Sequence, residues 1–252
     1  MAQRYVYYLV GITQVGNASE YGRINEVGSV TQGLASGGRE VVANGAVLCP
    51  GLIDTHAHDD GAFFRHPGME FTLSQGVTTV VSGNCGFSAI PADPTKDSVA
   101  ASGGILAGLE GEFTDLDGYY AAALARQPAI NNMMLVGHNT VRSLVMGESK
   151  SAPTDSELRE MQGHVTHALE QGACGFSSGL IYRPGRFSNT EEVTELAKMA
   201  APFDALYTTH MRNEGDRLLE AVEESLQIAR DGGVQEGRTS DLLPTWYTWR
   251  VG

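Results

Sequence analysis

Two histidines separated by a single residue, His56 and His58, stand in the run Pro50-Gly51-Leu52-Ile53-Asp54-Thr55-His56-Ala57-His58-Asp59-Asp60. Imidazole is the commonest protein ligand for a metal ion, and residues two apart on a strand project to the same side. Leu52 and Ile53 read as a buried strand, Pro50-Gly51 as its entry and Asp59-Asp60-Gly61 as its exit. The spacing therefore predicts two rings aimed at one ion from the end of that strand, the alternative being two ordinary polar residues at a strand end. A possible sulfur ligand follows at Cys85, in the turn Gly83-Asn84-Cys85-Gly86, where glycines let the backbone bend closely enough to aim the side chain inward. Cys85 reads either as a small buried hydrophobe or as a zinc thiolate with His210 as its imidazole companion.

These residues need a scaffold. From residue 50 onward strand-like apolar runs alternate with helical stretches, the pattern of βα units and a parallel sheet. Strands are expected at 51–54, 78–82, 133–136, 175–178 and 205–209. Thr154 and Glu157 form a capping box for a helix with an apolar stripe of Leu158, Met161, Val165, Ala168 and Leu169, closed near Gly172. Asn189 with Glu192 opens a second helix carrying Val193, Leu196 and Ala200; Asp216 opens a third carrying Leu219, Val222 and Leu226 and ending near Gly232-Gly233. His164 and His167 fall inside the first of these helices and read as structural or solvent-facing. The candidate site residues instead follow strand ends: His56 and His58 the first, Cys85 the second, His138 the third, Ser177 and Tyr182 the fourth, His210 the fifth. A (β/α) barrel builds its chemistry on that face. Short apolar runs at 5–12, 28–30 and 39–48 read as a separate small β element.

Composition narrows the classes. A chain of 252 residues with 42% hydrophobic residues and 31 glycines suits a globular α/β protein able to bury a core. Its net charge of −13, with 17 lysines and arginines spread along the chain, argues against nucleic-acid binding. Three cysteines, Cys49, Cys85 and Cys174, show no disulfide-like spacing and favour a reducing compartment. The N-terminal residues lack a signal-like pattern, and no run approaches about 18 consecutive apolar residues. A cytoplasmic protein without membrane partners is expected.

The run from Pro50 to Asp60 resembles the first-strand motif of the amidohydrolase superfamily, and its doubled aspartate resembles the N-acyl-D-amino-acid deacylase (D-aminoacylase) branch. Gly83-Asn84-Cys85-Gly86-Phe87-Ser88, Val136-Gly137-His138-Asn139-Thr140-Val141-Arg142 and Thr209-His210-Met211-Arg212-Asn213-Glu214-Gly215 are similar to later motifs of that branch. So is Gly175-Phe176-Ser177-Ser178-Gly179-Leu180-Ile181-Tyr182, with Pro184-Gly185 following. The resemblance spans about residues 50 to 230 and implies an α/β fold: a partial TIM-like (β/α) barrel of about five βα units, preceded by a segment of a composite β-sandwich. It divides the chain into 1–49, 50–234 and a tail, 235–252, unlike the family. It also implies zinc, held tightly by Cys85 and His210 with a second, weaker position at His56 and His58, and hydrolysis of N-acyl-D-amino acids to a carboxylate and a free D-amino acid.

Two further family features, a histidine after a sixth strand and a catalytic aspartate after an eighth, have no counterpart in residues 1–252. The chain is thus expected to represent about half of a longer enzyme, truncated at its C-terminal side, and to self-associate through an exposed sheet edge. Arg212 offers paired donors to a substrate carboxylate or pairs with Glu214. Tyr182 can hydrogen-bond the substrate or simply pack, and Ser177 is expected with Tyr182 and Arg212 in substrate binding. Asp59, Asp60 and Arg183 receive no role. Two other readings stay open. A dihydroorotase or hydantoinase shares the paired histidines but bridges two metals with a modified lysine where this chain has Phe176-Ser177-Ser178-Gly179. A catalytically inactive fragment would bind zinc and turn nothing over.

Overall fold

A computed structural model describes residues 16–20, 23–28, 49–93 and 113–234. The chain divides into two compact units, Met1–Leu52 and Ile53–Gly252. In the first, β1 (Gly16–Glu20) and β2 (Arg23–Gly28) pair antiparallel, with a register shift between Ala18 and Ser19. Apart from Gly28, the strands expected at 5–12, 28–30 and 39–48 lie outside the described residues, as does the tail 235–252.

The second unit, which begins within β3, runs β3 (Leu52–Asp54), α1 (Ala62–Arg65), α2 (Glu70–Leu73), β4 (Val77–Ser82), α3 (Leu116–Ala125), β5 (Asn131–Gly137), α4 (His138–Met146), α5 (Asp155–Glu170), β6 (Gly175–Gly179), α6 (Thr190–Ala197), β7 (Leu206–His210) and α7 (Leu218–Asp231). Its five strands form one sheet in chain order, β3-β4-β5-β6-β7, and the pairs from β4 to β7 are parallel. Strands in sequential order with helical connections are the α/β arrangement of a partial (β/α) barrel. Val80, Met134, Val136, Phe176 and Tyr207 of the strands bury against Met161, Val165 and Leu169 of α5, Val193 and Leu196 of α6, and Ile228 of α7. Each such fully buried side chain contributes about 1.5–3 kcal/mol. The predicted capping box is present at the start of α5: the Thr154 side chain accepts from the Glu157 backbone, and the Glu157 carboxylate accepts from the Thr154 N–H at 2.7 Å.

Three local expectations are corrected. Leu52 and Ile53 are 56% and 60% exposed, not buried, because β3 is the terminal strand of the sheet and has no neighbour on its other side among the described residues. That strand also stops at Asp54, so His56 and His58 lie beyond it, in a turn where the Asp54 carboxylate accepts the His56 backbone N–H at 3.0 Å. The strand period therefore does not set their direction. Finally, α7 begins at Leu218 and not at Asp216, because the Asn213 side chain takes the backbone donors of Gly215 and Arg217. Its buried face is Ala221, Ser225, Ile228 and Ala229, while Leu219 is 83% exposed. Small residues let α7 lie close to α6, and the larger Leu219 turns outward.

Candidate metal centre

Parallel strands put their carboxyl ends on one side of a sheet, and the candidate ligands gather there. A tight turn after β4 carries Cys85. Cys85 itself has a left-handed backbone (φ 55°), between Gly83 at φ 80° and Gly86 at φ 79°. Such a turn costs strain at a non-glycine residue and persists only where its surroundings fix it. Here they do: the Ser177 hydroxyl donates to the Gly83 carbonyl and accepts the Gly86 N–H, and the Gly86 carbonyl accepts the Thr140 N–H at 3.1 Å. Gly179 passes so close beneath that a Cβ there would lie 1.9 Å from the Cys85 carbonyl oxygen. The turn is thus clamped by β6 on one side and α4 on another.

Cys85 Sγ lies 3.4 Å from His56 Nε2 and 3.5 Å from His210 Nδ1. His58 completes the group: ligand atoms of His56, His58 and Cys85 all lie within 4.8 Å of one another. The two histidine rings from the turn after β3 meet edge to face at 5.1 Å. Burial, then the neighbouring His58, pulls the His56 imidazole down to about 4; burial, then His210, lowers His58; and burial lowers His210 against the opposing pull of Glu214. All three rings are therefore neutral near pH 7, the form that binds metals. Burial, then the Glu214 charge, pushes the Cys85 thiol up to about 12.

Buried His56 Nδ1 and His58 Nδ1 have no hydrogen-bond partner. Buried polar atoms are rarely left in that state without a reason. A sulfur donor with three neutral imidazoles is the donor set that suits zinc and similar borderline-soft cations. The residues present fit a metal ion.

The other predicted residues separate. Tyr182 joins the cluster, its hydroxyl 3.2 Å from His210 Nδ1 and its ring packed on His210 and Phe87. Ser177 does not: it is fully buried and its oxygen serves the Cys85 turn. Arg212 pairs with Glu224 of α7 through Nε and NH2 at 2.8–3.1 Å, in a cleft of about 630 Å³ lined also by Arg186, Asn213 and Arg217. Its ion pair is thus with Glu224, while Glu214 sits 3.1 Å from His210 Nε2. His138 follows β5 as expected but is fully buried, bonded to Glu192 at 2.9 Å. His167 is exposed on α5, and His164 lies on the same helix.

Three groups had no site role in the sequence. Glu214 stood in the motif after His210 and was read only as a possible ion-pair partner of Arg212, whereas it faces His210. Asp60 is buried, with one oxygen accepting the Ala89 N–H at 2.9 Å; burial pushes its carboxyl up to about 6 against that bond. Glu192 was read only as a helix-opening residue, yet it is shared by His138 and Arg142.

The chain is similar to known proteins in sequence and in fold. A family model described as "Amidohydrolase family" matches residues 39–235. The N-acyl-D-glutamate deacylase of Alcaligenes xylosoxydans xylosoxydans is 42% identical over 84% of this chain and 42% of its own length. The D-aminoacylase of the same organism is 36% identical over 83% of this chain and 43% of its own. The crystal structure of N-acyl-D-glutamate deacylase from Bordetella bronchiseptica, with zinc and a phosphonate inhibitor, superposes with a TM-score of 0.80 at 38% identity, over 91% of this chain and 48% of that one. The chain spans less than half the length of these relatives. With the matched residues taking in the whole sheet and every member of the histidine–cysteine cluster, the chain belongs to the amidohydrolase family.

Proposed function

We propose that this chain forms the zinc-binding part of a hydrolase of linear amides, acting on N-acyl-D-amino acids to release a carboxylate and the free D-amino acid. The observation that carries this is the convergence of Cys85, His56, His58 and His210 at the carboxyl ends of the strands. The relatives' names supply the substrate class, and the zinc in the Bordetella structure supports the metal. Cys85 and His210 are the proposed tight ligands, His56 and His58 the weaker position. Bound zinc would polarise the amide carbonyl and lower the pKa of a coordinated water toward about 7.

The chain's own residues supply placement. Clamping by Ser177 and Gly179 fixes Cys85 before any metal arrives, so no loop has to be ordered on binding. Tyr182, half-buried with its hydroxyl at the cluster, is the proposed hydrogen-bond donor to the substrate's acyl or carboxylate oxygen. The Arg212 guanidinium, tied to Glu224 and to the Arg186 carbonyl on the wall of its cleft, remains the proposed carboxylate contact. We also propose a reducing, cytoplasmic setting, which the three free cysteines support, and self-association through the terminal strand β3.

The test is zinc content and turnover together. The purified chain, dialysed and assayed by elemental analysis, is expected to retain zinc; release of free amine from N-acetyl-D-glutamate in preference to its L enantiomer would extend the assignment to the whole reaction. Zinc retention without hydrolysis would assign the chain the metal-binding part of the reaction alone. Absence of bound zinc would end the proposal.

A further inference from the structure

The residues after His210 form an unusually anchored loop. Arg212 is held to Glu224 through Nε and NH2 at 2.8–3.1 Å, and its NH1 donates to the Arg186 carbonyl at 3.1 Å. Next to it, the Asn213 side-chain oxygen accepts the backbone N–H groups of Gly215 at 2.8 Å and Arg217 at 3.1 Å. Glu214 lies between these fixed neighbours, its side chain 35% exposed, with Oε1 3.1 Å from His210 Nε2. The other ring nitrogen of His210, Nδ1, faces Cys85 Sγ at 3.5 Å and the Tyr182 hydroxyl at 3.2 Å.

An ionised carboxylate can only accept, so the proton of a neutral His210 ring facing Glu214 resides on Nε2 and the lone pair on Nδ1. We propose that Glu214 is a positioning residue of the metal centre: by accepting the Nε2–H of His210 it fixes the ring's tautomer and orientation and presents Nδ1, beside Cys85 Sγ, as the donor atom. This rests on the zinc reading above. Metal-ligating histidines generally donate their second N–H to a carboxylate or carbonyl, and losing that partner typically weakens metal binding by about 10- to 100-fold. The anchoring explains the segment from Thr209 to Gly215 as a whole: His210 supplies the ligand, Arg212 and Asn213 pin the backbone, and Glu214 orients the ring from the side opposite Cys85. A glutamate serving only as a surface charge would need none of those anchors.

The test uses the full chain as wild type, Glu214→Ala and Glu214→Gln. Zinc affinity is measured by competition with a chromophoric chelator, and the His210 tautomer by nitrogen NMR of metal-free protein with labelled histidine, assigned with a His210→Asn control. Wild type is expected to show the Nε2–H form. Glu214→Ala is expected to mix the two tautomers and to bind zinc about 10- to 100-fold more weakly. Glu214→Gln, whose amide oxygen can still accept from Nε2, is expected to recover the tautomer and much of the affinity. Variants matching wild type in both readouts would overturn the role of Glu214 while leaving the zinc reading standing. A wild-type chain that binds no zinc would overturn both.

Discussion

Four side chains make a cluster that is neutral as it stands. A thiol held up by burial and by the Glu214 charge faces imidazoles held down by burial, so little electrostatic repulsion is stored among them. A divalent cation would reverse the balance at Cys85 first, because thiolate is the ligand form and the sulfur touches both His56 and His210. Cys85→Ser is therefore expected to lose zinc more severely than loss of any outer-shell partner, by more than about 100-fold in affinity, with the far-ultraviolet spectrum unchanged. Chelator competition checks it, and wild-type affinity in the variant would remove Cys85 from the site. The ligand types were legible in the sequence because sulfur and imidazole carry their chemistry in the residue itself, and because glycines around Cys85 marked a turn. The directions of Ser177 and Arg212 were not legible, since each is decided by a partner on another element whose facing only the fold sets. Ser177 is engaged by Gly83 and Gly86 from the turn after β4, more than 90 residues away. Arg212 is engaged by Glu224, a full turn inside α7.

At the scale of elements, two devices hold the strand ends in place. One is the absence of a side chain at Gly179, the last residue of β6, which lets the Cys85 turn settle on the strand. Gly179→Ala must move the backbone of that turn, because the added carbon would meet a carbonyl oxygen and not a flexible side chain. A destabilisation of about 1–3 kcal/mol by urea melting, accompanied by weaker zinc binding, is the expected outcome; unaltered stability would show that the turn is free to shift. The other device is the buried group joining α4 to α6. Glu192 accepts from His138 Nε2 at 2.9 Å and from Arg142, while Arg142 also donates to the Ser151 carbonyl at 2.8 Å. Removing the carboxylate strands a buried guanidinium, so Glu192→Ala is expected to cost about 3–5 kcal/mol. Burial pushes the Glu192 carboxyl up, but the His138 and Arg142 hydrogen bonds and charges outweigh it and hold the group below its ordinary value of 4.5. A folded-state value below the unfolded one means the unfolded chain binds the proton more readily, so this contribution is present above about pH 4.5 and is lost as pH falls through the lower folded value. Melting temperature followed downward from about pH 7 should drop steeply in that acid window for wild type, and less steeply for Glu192→Gln. Alternating strand and helix signals exposed the order of these elements, whereas the α4–α6 contact depends on which helix faces which, a property of the assembled sheet.

For the whole molecule the decisive feature is where the sheet stops. β3 and β7 each have a single strand neighbour among the described residues, and β3 presents Leu52 and Ile53 at 56% and 60% exposure. A strand with an open side offers a row of backbone donors and acceptors that another chain can pair with, and exposed apolar side chains beside that row strengthen the attraction. The sequence read these residues as buried because in a closed or covered sheet such a run would be; the exposure goes with the absence, among the described residues, of a strand beside β3 on that side. Self-association is accordingly expected to rise with concentration, measured by light scattering coupled to gel filtration across about a hundredfold range of protein, since association constants report through mass action. Ile53→Lys places a charge on that edge, the device natural proteins use to keep sheet edges apart, and is expected to shift the equilibrium toward monomer. The substitution adds one positive charge to a chain whose net charge is −13, so it weakens general repulsion between copies. A fall in association would therefore come from the edge itself. Equal association of wild type and variant would move the contact elsewhere, and a wild-type chain that stays monomeric throughout would show that the open side of β3 is tolerated in water.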